Sequence, residues 1–323
     1  MPDDISTNEL KARIDPQQAA ALARNAEIVA SLGGPGEGIA EVREHADAAR
    51  AVWNEGGPAM AEQRDLTIPG PFRDVPCRLY KPVAGDAMPL WIYLHGGGFR
   101  IGSPLSNDRQ MREIAERWGG AILSCDYVHV PEHNFPDPVD EVVAVLKWVA
   151  ENPGTLGIDP DRIAIGGASA GASVAFGVAF EARDHLPELV KGVISLYGVV
   201  DDNLDSESML TLGGGDFMLT RDGIAQIYDN YVTDSIHKAD ARAFATKGLF
   251  AELPPVFIAA AELDPLRDDS VLLAELIADA DQPVRLKVYP GMLHAFFGYS
   301  AMVDRAQELI ADTAEFLTET LGT

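Results

Sequence analysis

The sequence predicts an α/β fold: a mostly parallel, open sheet with helices on both faces. Two observations carry this. From about residue 75 to the C-terminus, short apolar runs alternate with helix-like segments, an order that builds parallel sheets. Several of those runs are continuously apolar rather than alternating, as strands covered on both faces must be.

The elements follow in order. Residues 16–54 read as two Ala-rich helices broken at Gly33-Gly34-Pro35-Gly36, and Pro58 opens an extended region. Expected strands are Val75–Tyr80, Leu90–Leu94, Ala121–Asp126, Ile163–Gly167, Val190–Tyr197, Val256–Ala260 and Val284–Tyr289. Expected helices are Asp108–Trp118, Val139–Glu151, Ala170–Arg183, Asp268–Asp279 and Asp304–Leu321. The rhythm breaks between Asp202 and about Ala243, where an acidic run leads through Gly213-Gly214-Gly215 into a helix over Thr220–Tyr231. An excursion between sheet strands is a natural place for a cap over a site.

The 323 residues, 47% hydrophobic, suffice for one large core. The net charge of −25 is spread along the chain, which favours a solvated surface and excludes nucleic acid, whose phosphates it would repel. Cys77 and Cys125 lie in strand-like sequence and are no disulfide framework; they read as small buried apolar residues. The first residues lack the basic start and apolar run of a signal peptide. No run approaches the roughly 20 apolar residues a membrane span needs. The expectation is a soluble cytoplasmic protein without a membrane partner.

Gly167-Ala168-Ser169-Ala170-Gly171 follows an apolar strand and precedes a helix, the context of a nucleophile elbow. Ser169 is therefore the candidate nucleophile, with the helix N-terminus favouring developing negative charge beside it. His95-Gly96-Gly97-Gly98-Phe99 follows another strand. Three glycines in a row bring bare backbone N–H groups close to a ligand, and with the N–H of Ala170 they could hold an oxyanion. His95 is expected to support this loop. A serine needs a base, and the base an orienting acid. Of the histidines after Ser169, namely His185, His237 and His294, only His294 follows a strand end. Asp264 also follows a strand and is the preferred acid; Asp268, four residues on, is the alternative and could instead charge a helix N-terminus.

With these motifs assembled, the sequence resembles the hormone-sensitive-lipase-like esterases, the bacterial family IV carboxylesterases of the α/β-hydrolase superfamily. The matching pieces are His95-Gly96-Gly97-Gly98-Phe99, Asp126-Tyr127 through Pro131-Glu132-His133 and Phe135-Pro136, the elbow at Ser169, Leu253-Pro254-Pro255, Asp264-Pro265-Leu266-Arg267-Asp268, and Gly291-Met292-Leu293-His294-Ala295-Phe296. The resemblance implies an α/β-hydrolase fold whose eight-stranded sheet has one antiparallel strand. It implies a cap from about 1–54 and 202–243 over a core of about 55–201 and 244–323. It also implies a triad of Ser169, Asp264 and His294, with Gly96, Gly97 and Ala170 as oxyanion donors. Phe99, Tyr197, Phe217 and Phe296 are the candidate substrate contacts.

Two stretches depart from the family pattern. Ala168 stands where an acidic residue or threonine usually braces the elbow, and Tyr127-Val128-His129-Val130-Pro131-Glu132 stands where Tyr-Arg-Leu-Ala-Pro-Glu is usual. The missing arginine removes a charged contact, and His129 is expected to be packed or loop-bound.

The expected activity is hydrolysis of small, short-chain acyl esters through an acyl-enzyme, with no metal or organic cofactor. An amidase, aryl-formamidase or lactonase would use the same groups. A non-catalytic receptor of the related plant type lacks the histidine that His294 supplies here. By analogy with relatives, an edge strand near Val284–Tyr289 could pair two copies as a homodimer.

Overall fold

Eight extended segments pair into a single sheet in the order β1-β2-β4-β3-β5-β6-β7-β8. The computed structural model describes residues 6–323; residues 1–5, where the expected cap segment begins, lie outside the described residues. The chain runs α1 (Thr7–Lys11), α2 (Pro16–Ser31), α3 (Gly38–Trp53), β1 (Glu62–Pro69), β2 (Asp74–Lys81), β3 (Met88–Leu94), α4 (Asp108–Trp118), β4 (Ala121–Cys125), α5 (Asp137–Glu151), α6 (Pro153–Leu156), β5 (Ile158–Ala168) and α7 (Ala170–His185). It continues through β6 (Val190–Leu196), α8 (Glu207–Leu212), α9 (Arg221–Tyr231), β7 (Val256–Ala261), α10 (Arg267–Asp279), β8 (Val284–Tyr289) and α11 (Asp304–Leu321).

β2 runs against both of its neighbours, β1 and β4, and every other neighbouring pair is parallel. One strand therefore opposes the other seven. β3, β4 and β7 are buried along their whole lengths, which is why their sequences are continuously apolar. β1 is different. It is an edge strand of alternating half-buried and exposed residues, with Glu62, Arg64 and Asp65 in its first half, and its polarity hid it as a mere extended region. β5 begins at Ile158 rather than Ile163. Cys77 and Cys125 sit opposite each other on β2 and β4, both buried and free.

Helices α2 and α3 form where composition places them, after the short α1, which the composition did not show. Asp15 caps α2 by accepting from the N–H groups of Gln17 and Gln18, with Pro16 as first residue. The Asp202–Ala243 excursion carries α9 as expected and also α8, too short to read from periodicity. α8 is capped by Ser206 and α9 by Thr220. No described helix is long and apolar enough to cross a membrane. Adjacent strands β5, β6, β7 and β8 all end at one edge, where parallel α/β sheets open their ligand crevice.

Candidate active site

Ser169 occupies the turn from β5 into α7 with φ 53° and ψ −120°. A non-glycine residue is strained there by about 1–3 kcal/mol, and the fold holds it. The Ser169 N–H donates to Leu196 O at 2.9 Å, and its carbonyl accepts from Ala172 and Val199. The flanking glycines are steric necessities. A Cβ on Gly167 would lie 2.5 Å from the Gly171 carbonyl carbon, and one on Gly171 would lie 2.2 Å from Leu94 O. The first turn of α7 thus packs directly on the ends of β5 and β3. Ala168 is buried, so this backbone fit braces the elbow where the usual acidic or threonine side chain is missing.

The loops after β7 and β8 bring the partners. His294 Nε2 lies 2.9 Å from Ser169 Oγ, and His294 Nδ1 lies 2.7 Å from Asp264 Oδ2. All three side chains are buried. Asp264 Oδ1 accepts from the N–H of Leu266 at 3.0 Å, which fixes the carboxylate. An ionised carboxylate only accepts, so Nδ1 carries the hydrogen and Nε2 is left to accept from the serine hydroxyl. Asp268 is elsewhere. Its carboxylate accepts from the Ser208 N–H at 2.7 Å and pairs with Arg267. The Ser208 hydroxyl donates to Pro265 O at 2.8 Å, so α8 is stapled to the loop that carries Asp264. His185 pairs with Glu181 on the surface, and the ring of His237 packs on Phe135.

The Gly-rich loop closes the third side. Gly97 has φ +140°, and a Cβ there would lie 2.0 Å from Ile101 O, so only glycine fits. Among the described residues, the N–H groups of Gly96, Gly97 and Ala170 donate no hydrogen bond. Three unsatisfied donors thus lie about the serine, and a Cβ built on Gly96 would come within 3.2 Å of Ser169 Cβ. Such donors are what a developing oxyanion needs.

Residues 91–298 match the family described as alpha/beta hydrolase fold. The chain belongs to this family, in its hormone-sensitive-lipase-like branch. An esterase of Pyrobaculum calidifontis is 28% identical and superposes with a TM-score of 0.87, over 96% of this chain and 100% of that one. EstE1, a thermophilic and thermostable carboxylesterase from a metagenomic library, is 29% identical with a TM-score of 0.85, over 88% and 98%. An ester hydrolase from the metagenome of Lake Arreo, solved with a bipyridine phosphonate derivative, is 28% identical with a TM-score of 0.87, over 96% and 100%.

In this α/β-hydrolase chain the four aromatic residues expected at the substrate are all buried. Tyr197 meets the His294 ring edge-on at 5.0 Å between centroids, and Phe296 packs behind Tyr197. Phe99, at φ 59°, stacks on Tyr231 of α9 at 3.6 Å. Phe217 forms an apolar cluster with Leu10, Leu212, Leu263 and Leu293, and so presses the excursion onto the residues just before Asp264 and His294.

Several supporting residues carry no local sequence signal. Arg50 of α3 is half-buried, donates to Ser106 Oγ at 2.8 Å and reaches Gly96 O at 3.5 Å. Burial pushes its guanidinium pKa down. Arg43, also on α3, donates to Arg100 O and to the carboxylate of Glu132. The segment after β4 has a charged contact from Arg73, which precedes β2. Its guanidinium lies 3.2 Å from Asp126 and 3.3 Å from Glu141, and Glu141 in turn accepts from the Val128 N–H. Asp269, on α10, is buried with neither carboxylate oxygen hydrogen-bonded among the described residues. Burial, then the charges of Asp201 and Asp264, push its pKa well above the usual carboxylate range.

Proposed function

We propose that this chain is a serine carboxylesterase that hydrolyses short-chain acyl esters. The observation that carries the reading is the chain of contacts from Ser169 Oγ to His294 to Asp264, at 2.9 and 2.7 Å. His294 takes the serine proton as Oγ attacks the ester carbonyl, and then gives it to the departing alcohol. Water repeats the cycle on the acyl-enzyme. Asp264 holds the imidazole tautomer. The N–H groups of Gly96, Gly97 and Ala170 receive the oxyanion, each contributing on the order of 3 kcal/mol. The similar proteins of known structure are an esterase and a carboxylesterase, which agrees with this chemistry.

The short-chain preference rests on the excursion as a cap. Its Met209 and Phe217 are consumed in core packing, while Leu210 and Met218 face solvent, so few apolar atoms remain to line a deep tunnel. Each buried methylene adds about 0.8 kcal/mol until the pocket ends. A nitrophenyl-ester series without detergent tests this. Efficiency should peak between about two and eight acyl carbons, because the methylene gain stops at the pocket wall. A peak at long chains, or activation at an oil–water interface, would overturn it. Anilide and lactone analogues assayed beside the ester should turn over more slowly.

A further inference from the structure

The turn beside the Gly-rich loop gathers three groups that ester hydrolysis does not use. His95 Nε2 lies 3.4 Å from Asp126 Oδ1, and His129 Nε2 lies 3.5 Å from the same oxygen. All three ligand atoms lie within 4.8 Å of one another. His95 and Asp126 directly follow β3 and β4, so two of the three sit on the rigid ends of neighbouring strands. His129 stands where the family segment has leucine, so the trio belongs to this chain rather than to the pattern.

The hydrogen bonding leaves this cluster short of a cation. His95 Nδ1 lies 3.1 Å from Gly96 O. A carbonyl only accepts, so Nδ1 carries the hydrogen, and in the neutral ring Nε2 turns a lone pair toward the Asp126 carboxylate. A proton on Nε2 would relieve that contact but would do nothing for His129. The His129 side chain is nine-tenths buried, and its Nε2 has no hydrogen-bond partner among the described residues. A metal ion satisfies all three groups at once. With ligand bonds of about 2.0–2.1 Å, a tetrahedral site has ligand–ligand edges of about 3.3–3.4 Å; the two His–Asp separations, 3.4 and 3.5 Å, are close to this, and the two imidazole nitrogens lie within 4.8 Å of each other.

We infer that His95, Asp126 and His129 form a binding site for a divalent first-row metal ion of the zinc or cobalt class. Two imidazoles and one carboxylate suit such ions, and the side chain of Asp126 is partly exposed, leaving a path for entry and a position for water. Arg73, on the other oxygen of Asp126, and Arg43, near His129, oppose a cation. The carboxylates of Asp47, Glu132 and Glu141 face the same cluster and offset them. The site shares no residue with Ser169, His294 and Asp264. Its effect would be to cross-link His95, which starts the Gly-rich loop, to the segment after β4, a link now made by Tyr127 donating to His95 O at 2.8 Å.

The test is a Co2+ titration of chelator-treated protein at neutral pH, read by visible absorption and equilibrium dialysis, with Zn2+ as competitor. The wild type should bind one Co2+ per chain with the absorption of a tetrahedral site, and His294→Ala should bind equally. His129→Leu and His129→Gln, each checked for native circular dichroism, should bind at least about tenfold more weakly. Zn2+ should raise the thermal midpoint of the wild type and not of the His129 variants. No Co2+ binding by the wild type at millimolar metal, or unchanged binding in a folded His129 variant, would overturn the inference.

Discussion

Asp264→Asn keeps the shape of the side chain and removes only its charge and one acceptor. The Leu266 N–H, 3.0 Å from Oδ1, holds the amide oxygen in that place. The amide NH2 must then face His294 Nδ1 across the 2.7 Å contact. Two donors cannot share it, so the imidazole takes the tautomer with bare Nδ1 and with hydrogen on Nε2. That hydrogen points at Ser169 Oγ, 2.9 Å away, and the ring can no longer act as base. Triad acids replaced in this way lose about 10⁴ in turnover, which is about 5.5 kcal/mol of transition-state stabilisation at ~1.4 kcal/mol per tenfold. The assay is kcat on a short nitrophenyl ester, with circular dichroism to show that the fold is kept. Asp268→Asn is the control: it weakens bonds to Ser208 and Arg267 and should cost less than about tenfold, the scale of one hydrogen bond. A loss under about 10² for Asp264→Asn, far from the triad scale, or a larger loss for Asp268→Asn, would refute the reasoning.

Other outcomes follow from the packing and the buried charges. Gly171→Ala places Cβ 2.2 Å from Leu94 O, where contacts of about 3.5 Å are needed; the start of α7 must shift by about 1 Å, costing about 10² in kcat and about 1–3 kcal/mol in a urea melt. Arg50→Met removes the donors to Ser106 and Gly96 O, and kcat should fall about tenfold or more, since 1 Å misplacements near the chemistry cost up to 10², while phosphonate still labels Ser169. Asp269 has a folded pKa raised by burial and nearby carboxylates. Because the native state binds the extra proton, stability falls as pH rises from the unfolded value of about 3.9 toward the folded pKa. Asp269→Asn should therefore raise the thermal midpoint at pH 8, with the gain shrinking toward pH 4; an equal gain at both would show that the carboxyl is not the cause.

The parts of this protein legible in the sequence are those written in contiguous residues. β3, β4 and β7 are buried on both faces and read as unbroken apolar runs, and the Ser169 turn needs glycines at fixed spacing because backbone meets backbone there. His294 and Asp264 were reachable because strand ends share one edge of a parallel sheet. β1 was not, since an edge strand rich in Glu62, Arg64 and Asp65 has no apolar pattern. α8 is too short for periodicity to show. Arg50, Arg43, Arg73 and Ser208 act on segments far along the chain from themselves, and no local spacing encodes such a contact. Burial of Phe99 and Phe217 follows from the packing of the excursion on the loops, and burial of Phe296 from its packing on Tyr197 and Tyr289, which only three dimensions reveal.

The nucleophile is the claim on which the rest depends, and covalent trapping tests it most directly. An organophosphonate incubated with the protein should add one equivalent of its mass, and peptide mapping should place it on Ser169. Labelling should fall away in Ser169→Ala, together with ester turnover, while the thermal midpoint stays near that of the parent. Mass on another residue, or turnover that persists in Ser169→Ala, would contradict the account.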